Sequence, residues 1–282
     1  EVDCRDPAFK LALSRKHRVF EEMTDADILT EILGESGLGG DLTAMDVTHP
    51  QLFQYQTTDW DFMMTRLDAN GQFCALEDGT LRSFVPALEA ETATALFGTN
   101  LVELDAEFDA RPQMGSLIAK SWDPADQGIA EVEAAAPDIP LPGVQAATDM
   151  VGVTGRAADE LWHGGAMGAD ALQVWADGAL RRARLGGTRG RARFQGFSAL
   201  TLGQTILLSG LGSRFEGGVL VTGMRHVFAD NNWTIDVEFG ADCAHHAERF
   251  EISAPPAASL AAAVSGLQIG IATKGLFPAL CD

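Results

Sequence analysis

One alternating stretch of the chain constrains its fold more than any other feature. Within this stretch, every second position from 233 is apolar: Trp233, Ile235, Val237 and Phe239. The positions between them carry hydroxyl or carboxylate groups. Successive side chains of a β-strand point to opposite faces, so this period of two predicts a strand with one buried and one solvated face.

The residues around this strand predict further strands. Residues 219–228 are rich in Val, Leu, Thr and Phe, and residues 229–232 (ADNN) supply the Asn and Asp that tight turns favour. We therefore expect an antiparallel hairpin here. Residues 191–197 and 205–208 add two more short strands, and Gly-rich turns join them. Four such strands predict a β-meander over 190–240 that closes, or nearly closes, into a barrel.

Helices are expected to be inserted between the strands. Thr24 and Asp27 have the spacing of a capping box, which predicts a helix start. A second helix is predicted after Thr58, because its first turn is acidic and the helix dipole favours negative charge there. Residues 154–185 predict the longest helix, with an expected interruption at His163-Gly164-Gly165, and this helix delivers the chain to the meander. Together these patterns predict a mainly β protein with α-helical insertions.

The distribution of charge restricts the partners. The formal net charge is −20, and phosphate recognition needs a basic surface, so nucleic acid is not expected as a partner. Residues 86–150 hold twelve acidic and two basic side chains, whereas residues 181–193 hold six arginines and no acid. One interpretation is two solvated surfaces. The other is that the acidic Leu101–Phe108 region and the arginine segment are contacts between protomers of an assembly.

The sequence predicts neither a membrane span nor a disulfide framework. No apolar run reaches the ~18 residues that cross a bilayer. The cysteines are far apart and form no Cys-x-x-Cys pair, which predicts reduced thiols. They are Cys4, Cys74, Cys243 and Cys281.

Several stretches, in the same order, resemble the hub region of spike proteins from contractile injection systems. This group comprises the valine-glycine-repeat G (VgrG) proteins of type VI secretion, the spikes of extracellular injection particles and the late control D hub proteins of contractile-tailed phages. The matching stretches are FEEMTDADI (20–28), TDWDFMMTRL (58–67) followed by Gly71, AKSWDPADQ (119–127), LGQ (202–204), FEGGVLVT (215–222) followed by His226, and AVSGLQIG (263–270). They extend over most of the chain, and residues 119–127 are most similar to the extracellular-particle branch.

The resemblance implies two tube-like β-barrel hub domains followed by the start of an oligosaccharide-binding-type (OB) domain. Residues 1–90 would be the remainder of the first hub barrel with a helical insertion, and residues 91–252 the second hub barrel region. Residues 253–282 would be a linker and the start of a truncated OB-type domain. The opening strands of the first barrel, the rest of the OB domain and the needle-like β-helix are not expected within this sequence, which predicts a hub fragment or a truncated product.

The resemblance also implies a role and partners. Three copies of such a hub form a pseudo-sixfold ring, which joins a hexameric tail tube to a trimeric spike. The expected partners are further copies of the chain in a homotrimer, a tail-tube protein, baseplate components, and a spike-tip PAAR-type protein with effectors. The protein would be made in the cytoplasm, assembled into an injection particle, and secreted or extracellular after firing. No enzymatic activity and no cofactor are expected.

Two other functions stay open on the residues alone. Cys243, His245 and His246, with Glu248 nearby, have the composition of a zinc site, which would suit a metal-dependent hydrolase. Their spacing nominates no third and fourth ligand, and a polar loop after a strand explains the same residues, so we assign no metal or catalytic residue. The other alternative is a stand-alone β-rich module that binds carbohydrate, although Tyr55 is the only tyrosine available to stack on sugars.

Overall fold

The polypeptide folds mainly into β-strands with helices inserted between them, as the sequence predicts. The computed structural model describes residues 2–143 and 147–254, and the residues up to Ile252 form one compact unit. In these residues the strands are β1 (Arg15–Thr24), β2 (Gly39–Asp41), β3 (Thr48–Thr58), β4 (Phe73–Glu77), β5 (Thr80–Phe84), β6 (Glu91–Leu96), β7 (Leu101–Phe108), β8 (Ser116–Asp123), β9 (Gly128–Glu133), β10 (Ala158–His163), β11 (Thr188–Gln195), β12 (Thr205–Ser209), β13 (Gly217–Ala229) and β14 (Asn232–Phe239). The helices are a 3₁₀-helix (Pro7–Ala12), α1 (Asp25–Glu35), α2 (Asp59–Ala69), α3 (Ala147–Thr154), α4 (Ala169–Leu185) and α5 (His246–Arg249).

Two sequence-based expectations concern a membrane span and the C-terminal residues. No helix in the described ranges has the length and apolar character needed to cross a membrane. The predicted linker and OB-type start, 253–282, lies outside the described residues except for Ser253 and Ala254.

The first part of the chain is a two-stranded ribbon covered on one face by two helices. β1 pairs with β3 in antiparallel fashion, and each strand leads directly into a helix. Thr24 begins α1 with the predicted capping box: its Oγ1 accepts from Asp27 N at 3.2 Å, and the Asp27 carboxylate accepts from Thr24 N at 3.3 Å. Thr58 caps α2 by accepting from Asp61 N at 3.1 Å. Both predicted helix starts are confirmed.

Two buried carboxylates attach these helices to each other and to the ribbon. Asp25 of α1 accepts two hydrogen bonds from the Arg66 guanidinium of α2, at 2.6 and 2.9 Å, and one from Asn70 at 2.7 Å. Burial raises the pKa of Asp25. The hydrogen bonds and charge of Arg66 and the hydrogen bond from Asn70 together lower it by a larger amount, so the net pKa lies below its ordinary value. Asp59 of α2 accepts from Lys16 Nζ of β1 at 2.5 Å. Because an unpaired buried charge is costly, these contacts fix the helices on the ribbon.

The alternating stretch lies in a six-stranded sheet with the order β6-β12-β13-β14-β11-β7. β13 and β14 form the predicted hairpin, and its turn residues Asp230 and Asn231 have φ values of 51° and 60°. Asn and Asp adopt this left-handed conformation more readily than other non-glycine residues. The predicted alternation is confirmed by the fully buried side chains of β14, which are Ile235, Val237 and Phe239.

The predicted meander over 190–240 is wrong in its strand order. β11 does not pair with β12, the next strand along the chain; it lies between β14 and β7, antiparallel to both. Alternation specifies which face of a strand is buried but not which strand lies beside it. The sequence pattern therefore could not reveal that β11 lies between β14 and β7.

The six-stranded sheet curls into a half-barrel. Its edge strands β6 and β7 are consecutive in the chain, so the short connection at 97–100 holds them together at one end. Asn100 stabilises this turn, because its side chain accepts from Leu96 N at 2.7 Å and donates to Thr94 O at 2.8 Å. The mainly β fold class is confirmed, and two complete barrels stay a prediction.

The predicted helix over 154–185 is correct only in its second half. That half is α4, whereas the first half contains strand β10, which pairs in parallel with β8. A glycine-rich linker at 164–168 separates the two, and glycine is unfavourable inside a helix because it loses the most backbone entropy on ordering. Leu161 faces the core while Trp162 faces solvent, which is the period of two of a strand.

α4 covers one face of a three-stranded sheet with the order β10-β8-β9. The helix and the sheet share an apolar cluster, whose buried members include Leu117, Ala119, Leu172, Ala176 and Leu180. A further small sheet, β2-β5-β4, contributes Leu81 to the separate cluster beneath α1 and α2.

We predict that Gly178→Ala destabilises the protein by about 2 kcal/mol, because overpacking displaces backbone. The end of α2 crosses α4 at Gly71 and Gly178, and a Cβ on Gly178 would lie 2.5 Å from the Gly71 Cα. Urea unfolding would measure the change. Gly34→Ala in α1 is the matched control, since a Cβ there meets no atom within 4 Å and alanine favours helix by about 1 kcal/mol. Equal stability of the two variants would contradict the tight crossing.

Candidate functional site

The outer face of the half-barrel carries alternating stripes of acidic and basic side chains. We call the part formed by β7, β11 and β14 the striped face. Its charged members are Glu103, Asp105 and Glu107 of β7, Arg189, Arg191 and Arg193 of β11, and Asp236 and Glu238 of β14. The antiparallel registers place each arginine of the central strand between carboxylates of its two neighbours or beside one of them.

The arginines of the striped face are neutralised within the chain. Arg193 bridges both neighbouring strands, with Nη1 3.0 Å from Glu103 Oε2 and Nε 2.5 Å from Asp236 Oδ1. Its hydrogen bonds and charge hold the pKa of Asp236 below the ordinary value. Arg189 Nη2 lies 2.7 Å from Glu107 Oε1. The acidic and basic segments singled out by sequence therefore do meet, but as adjacent strands of one chain.

The two arginines near the end of α4 are also engaged internally. Arg182 forms an ion pair with Asp68 of α2 and lies 4.9 Å from the ring centre of Phe73. Arg184 donates to Gln113 Oε1 at 3.2 Å and to the Met114 carbonyl at 3.0 Å. Reversing these charges would disrupt packing inside one protomer. These two positions are therefore unsuitable as tests of contacts between protomers.

We predict that Arg193→Gln lowers the melting temperature more at about 20 mM salt than at about 500 mM salt, where exposed ion pairs are screened. Arg214→Gln is the matched control, because Arg214 is an exposed loop residue and its loss changes the net charge equally. A drop that is equal in both variants and shrinks equally with salt would show that net charge, not the interstrand bridge, is responsible.

Residues 241–252, which we call the strap, run from the half-barrel back to the first part of the chain. His246 at the start of α5 donates its backbone N–H to Asp68 Oδ2 at 2.5 Å. At the far end, Arg15 Nη1 donates to the Ile252 carbonyl at 2.6 Å. The strap thus ties β14 to both α2 and the beginning of β1.

The strap explains the cluster that composition suggested as a zinc site. His246 Nε2 lies 2.9 Å from Asp61 Oδ1, and His245 Nδ1 lies 3.7 Å from Asp68 Oδ2. Burial raises the pKa of the Cys243 thiol above its ordinary value. Across residues 2–143 and 147–254, no three His, Cys, Asp or Glu side chains are grouped so that they could hold a metal ion. The histidines have structural partners instead.

A cleft of about 790 Å³ lies between the strap, α2 and the striped face. Asp68, Phe73 and Arg182 line one wall, and Asp105 and Arg191 line the opposite wall. Small-molecule sites are mostly apolar with a few polar groups. This cleft is rich in charges that pair with one another, which favours a structural role.

We predict that Asp68→Asn lowers the free energy of unfolding at pH 7 by about 3 kcal/mol, since it leaves Arg182 without its anion. Burial raises the pKa of Asp68. The contacts with His245 and Arg182 lower it by a larger amount, so the folded pKa lies below the ordinary value. Such a carboxyl stabilises the fold above its unfolded pKa of ~3.9 and loses this effect as the pH falls through the folded pKa.

Denaturant unfolding across the pH range would test this expectation. The difference in the free energy of unfolding between the native sequence and Asp68→Asn should be largest near neutral pH and should shrink as the pH falls below the unfolded pKa of ~3.9. Asp126→Asn, at an exposed turn position, should leave stability unchanged throughout. A difference that stays constant down to low pH would refute the role of the ionised carboxylate.

The outward face of the ribbon is apolar and uncovered. On the inward side Phe20 is buried against the helices. On the outward side Val19 lies opposite Phe53, and His17 lies opposite Tyr55. Val19, Phe53 and Tyr55 are each more than half exposed, and we call this trio the ribbon face. Large apolar side chains grouped on a surface commonly mark a site of protein association.

Both long edges of the ribbon are also open. In the part of the chain that the structure describes, no third strand pairs with β1 or β3. Proteins usually protect such edges, because their free N–H and C=O groups invite another strand. Gln56, with φ of 52°, forms a bulge where the register shifts, which increases the twist of the ribbon.

Sequence reasoning missed the ribbon face. The available signal was the pair of adjacent apolar residues in each strand, Val19-Phe20 and Leu52-Phe53. Adjacent apolar residues in a strand point to opposite faces, so one of each pair must find a partner outside the covering helices.

Solved structures of phage tail proteins share this fold. The 43 kDa tail protein of prophage MuSo2 from Shewanella oneidensis is 13% identical, with 84% of this chain and 73% of that chain covered and a TM-score of 0.61. A tail protein from Neisseria meningitidis MC58 is 13% identical, with 86% and 74% covered and a TM-score of 0.58. An E. coli type VI secretion component, described as similar to T4 tail proteins gp27 and gp5, is 14% identical, with 84% and 53% covered and a TM-score of 0.48.

The chain therefore shares the fold of phage tail proteins, and the resemblance to phage-tail-like proteins seen in the sequence is confirmed. No curated protein sequence matches it. The chain belongs to the family described as the Alg8 N-terminal domain, whose model matches residues 1–230.

Proposed function

We propose that the chain is the structural hub of a contractile injection spike of the phage-tail-like or type VI secretion-like kind. In this role it joins a hexameric tail tube to a trimeric spike. The fold supports a place among tail components, and one feature carries the proposal for this chain: the apolar ribbon face beside two open strand edges. Exposed apolar side chains beside open strand edges are what a subunit of a ring would bury against its neighbour.

The ribbon face suits a contact between copies of the chain. The ribbon face of one protomer would pack on a different surface of the next, and such head-to-tail contacts close into a ring when the rotation allows it. Three copies would give the homotrimer. The open edges of β1 and β3 would pair with strands of a neighbour, which completes a barrel and removes the exposed edges.

The half-barrel supplies stiffness for this mechanical role. In our proposal residues 1–90 and residues 91–252 correspond to the two barrel segments of the hub, and residues 253–282 lead into an OB-type domain. The striped face reinforces the second segment, because Arg193 links three adjacent strands through ion pairs. The function is the transmission of force rather than catalysis, so no catalytic residue is assigned.

The further partners follow from this role. We propose that the tail-tube protein lies above the ring, with baseplate components around it and a PAAR-type tip protein with effectors below the spike. The particle would be assembled in the cytoplasm, and the hub would leave the cell on firing.

We predict that the purified chain sediments as a species of three times its 30.0 kDa mass and that Phe53→Asp shifts it to the monomer. A carboxylate in the centre of an apolar contact must be desolvated on association, which costs several kcal/mol. Analytical ultracentrifugation across a concentration series would measure the shift. Ser213→Asp, which adds the same charge at an exposed turn position away from the ribbon, is the control and should leave the trimer intact.

Two results would contradict the proposal in different ways. A trimer that survives Phe53→Asp would remove the ribbon face from the interface while leaving the hub role. A chain that stays monomeric at every concentration, and does not bind tail-tube protein, would remove the hub role itself.

A further inference from the structure

The three-stranded sheet β10-β8-β9 has a second face that the proposed hub role does not use. Its inward face is covered by α4. Its outward face exposes Trp122, Ile129 and Trp162, with 48%, 54% and 56% of each residue accessible to solvent. We call this outward surface the tryptophan face. Tryptophan is usually well buried, so two half-exposed tryptophans on one small sheet require an explanation.

The strand registers make these side chains one continuous patch. Trp122 of β8 lies directly opposite Ile129 of β9. Trp162 of β10 lies beside Lys120, which is two residues from Trp122 along β8. Trp162 and Trp122 are therefore diagonal neighbours, at a separation of roughly 7–8 Å that large aromatic side chains span. The exposed apolar area is on the order of 300 Å², which is typical of functional patches on monomers.

Polar contacts hold the Trp162 ring in place. Its indole Nε1 donates to Glu160 Oε2 at 3.0 Å. The other oxygen of Glu160 accepts from Lys120 Nζ at 2.6 Å, and this ammonium lies 5.2 Å from the centre of the Trp162 ring. A ring fixed in this way loses little side-chain entropy when a partner packs on it. Preorganisation of this kind favours binding.

The charges around the patch select the partner. The charged side chains on the tryptophan face are Lys120, Glu131, Glu133 and Glu160. One lysine stands against three glutamates, so the face is acidic by two charges. Glu160 neutralises Lys120 directly, and Glu131 lies 3.9 Å from the same ammonium. An acidic rim around an apolar centre disfavours nucleic acid and anionic lipid, and it favours a basic partner.

We propose that the tryptophan face binds a segment of a partner protein that presents an aliphatic or aromatic side chain flanked by arginine or lysine. The apolar side chain lies against Trp122 and Ile129. The basic groups pair with Glu131 and Glu133, and an arginine guanidinium can also stack on an indole ring. This surface lies on the sheet beneath α4 and not on the ribbon, so it does not depend on the ring contacts proposed above.

A peptide probe tests this directly on the full chain. The probe is a labelled twelve-residue peptide of alternating arginine and leucine, and the reference is the matching glutamate–leucine peptide. We expect the basic peptide to bind and the acidic peptide not to bind. The double variant Trp122→Ala with Trp162→Ala should weaken binding about tenfold or more, as removal of central aromatic anchors does. Glu131→Gln with Glu133→Gln should also weaken it and reduce its dependence on salt.

Phe228→Ala is the matched control, because Phe228 is an aromatic residue exposed elsewhere, on β13. It should change the affinity less than about twofold, since the residue lies outside the tryptophan face. Ile129→Lys keeps both tryptophans and places a repelling charge in the patch, so it decides the question if the double variant does not fold. This variant should lose binding.

Three outcomes would overturn the proposal. Equal affinity of the basic peptide for the native chain and the double tryptophan variant would show that it binds by charge alone. Equal binding of the acidic peptide would remove the role of the glutamates. Binding of cellohexaose or chitohexaose that disappears in the double tryptophan variant, with no binding of the basic peptide, would identify the face as a carbohydrate platform instead.

Discussion

The position of β11 between β7 and β14 is the constraint on which the rest of the structure depends. This strand joins the acidic strand β7 to the hairpin, and Arg193 forms ion pairs to both sides. Its close neighbours leave no room for a side chain at Gly190, where a Cβ would lie 2.2 Å from the Asp105 carbonyl oxygen. Two residues separate the end of α4 from the start of β11, so the placement of the strand also places the helix over the sheet β10-β8-β9. The half-barrel, the striped face and the position of the second sheet thus follow from the placement of β11 between β7 and β14.

Local features of this fold were predictable from sequence because local interactions determine them. The helix starts at Thr24 and Thr58 depend on a side chain three residues from its partner. The β13–β14 hairpin depends on alternation and on a turn rich in Asn and Asp. The strand order was not predictable, since the pairing of β11 with β7 joins residues 80 to 93 positions apart. The helix expected over 154–185 failed because the apolar residues before its glycines also satisfy a strand period.

The candidate site shows a similar division. The sequence identified the acidic and arginine-rich segments as contacting surfaces, and they do contact one another, yet composition alone does not specify whether such a contact lies within a chain or between chains. The ribbon face was missed because Val19, Phe53 and Tyr55 resemble ordinary core residues until the helices are seen to cover only the opposite side. Exposure of apolar groups is a property of the packed arrangement, so three-dimensional structure was needed to find it.

The strap has a mechanical consequence. Because Arg15 at the start of β1 donates to the Ile252 carbonyl, the start of the ribbon and the end of the strap lie side by side. A force that pulls Arg15 and Ile252 apart would first act on the side-chain hydrogen bonds of the strap. It would reach the hydrogen bonds between the strands of the half-barrel only afterwards.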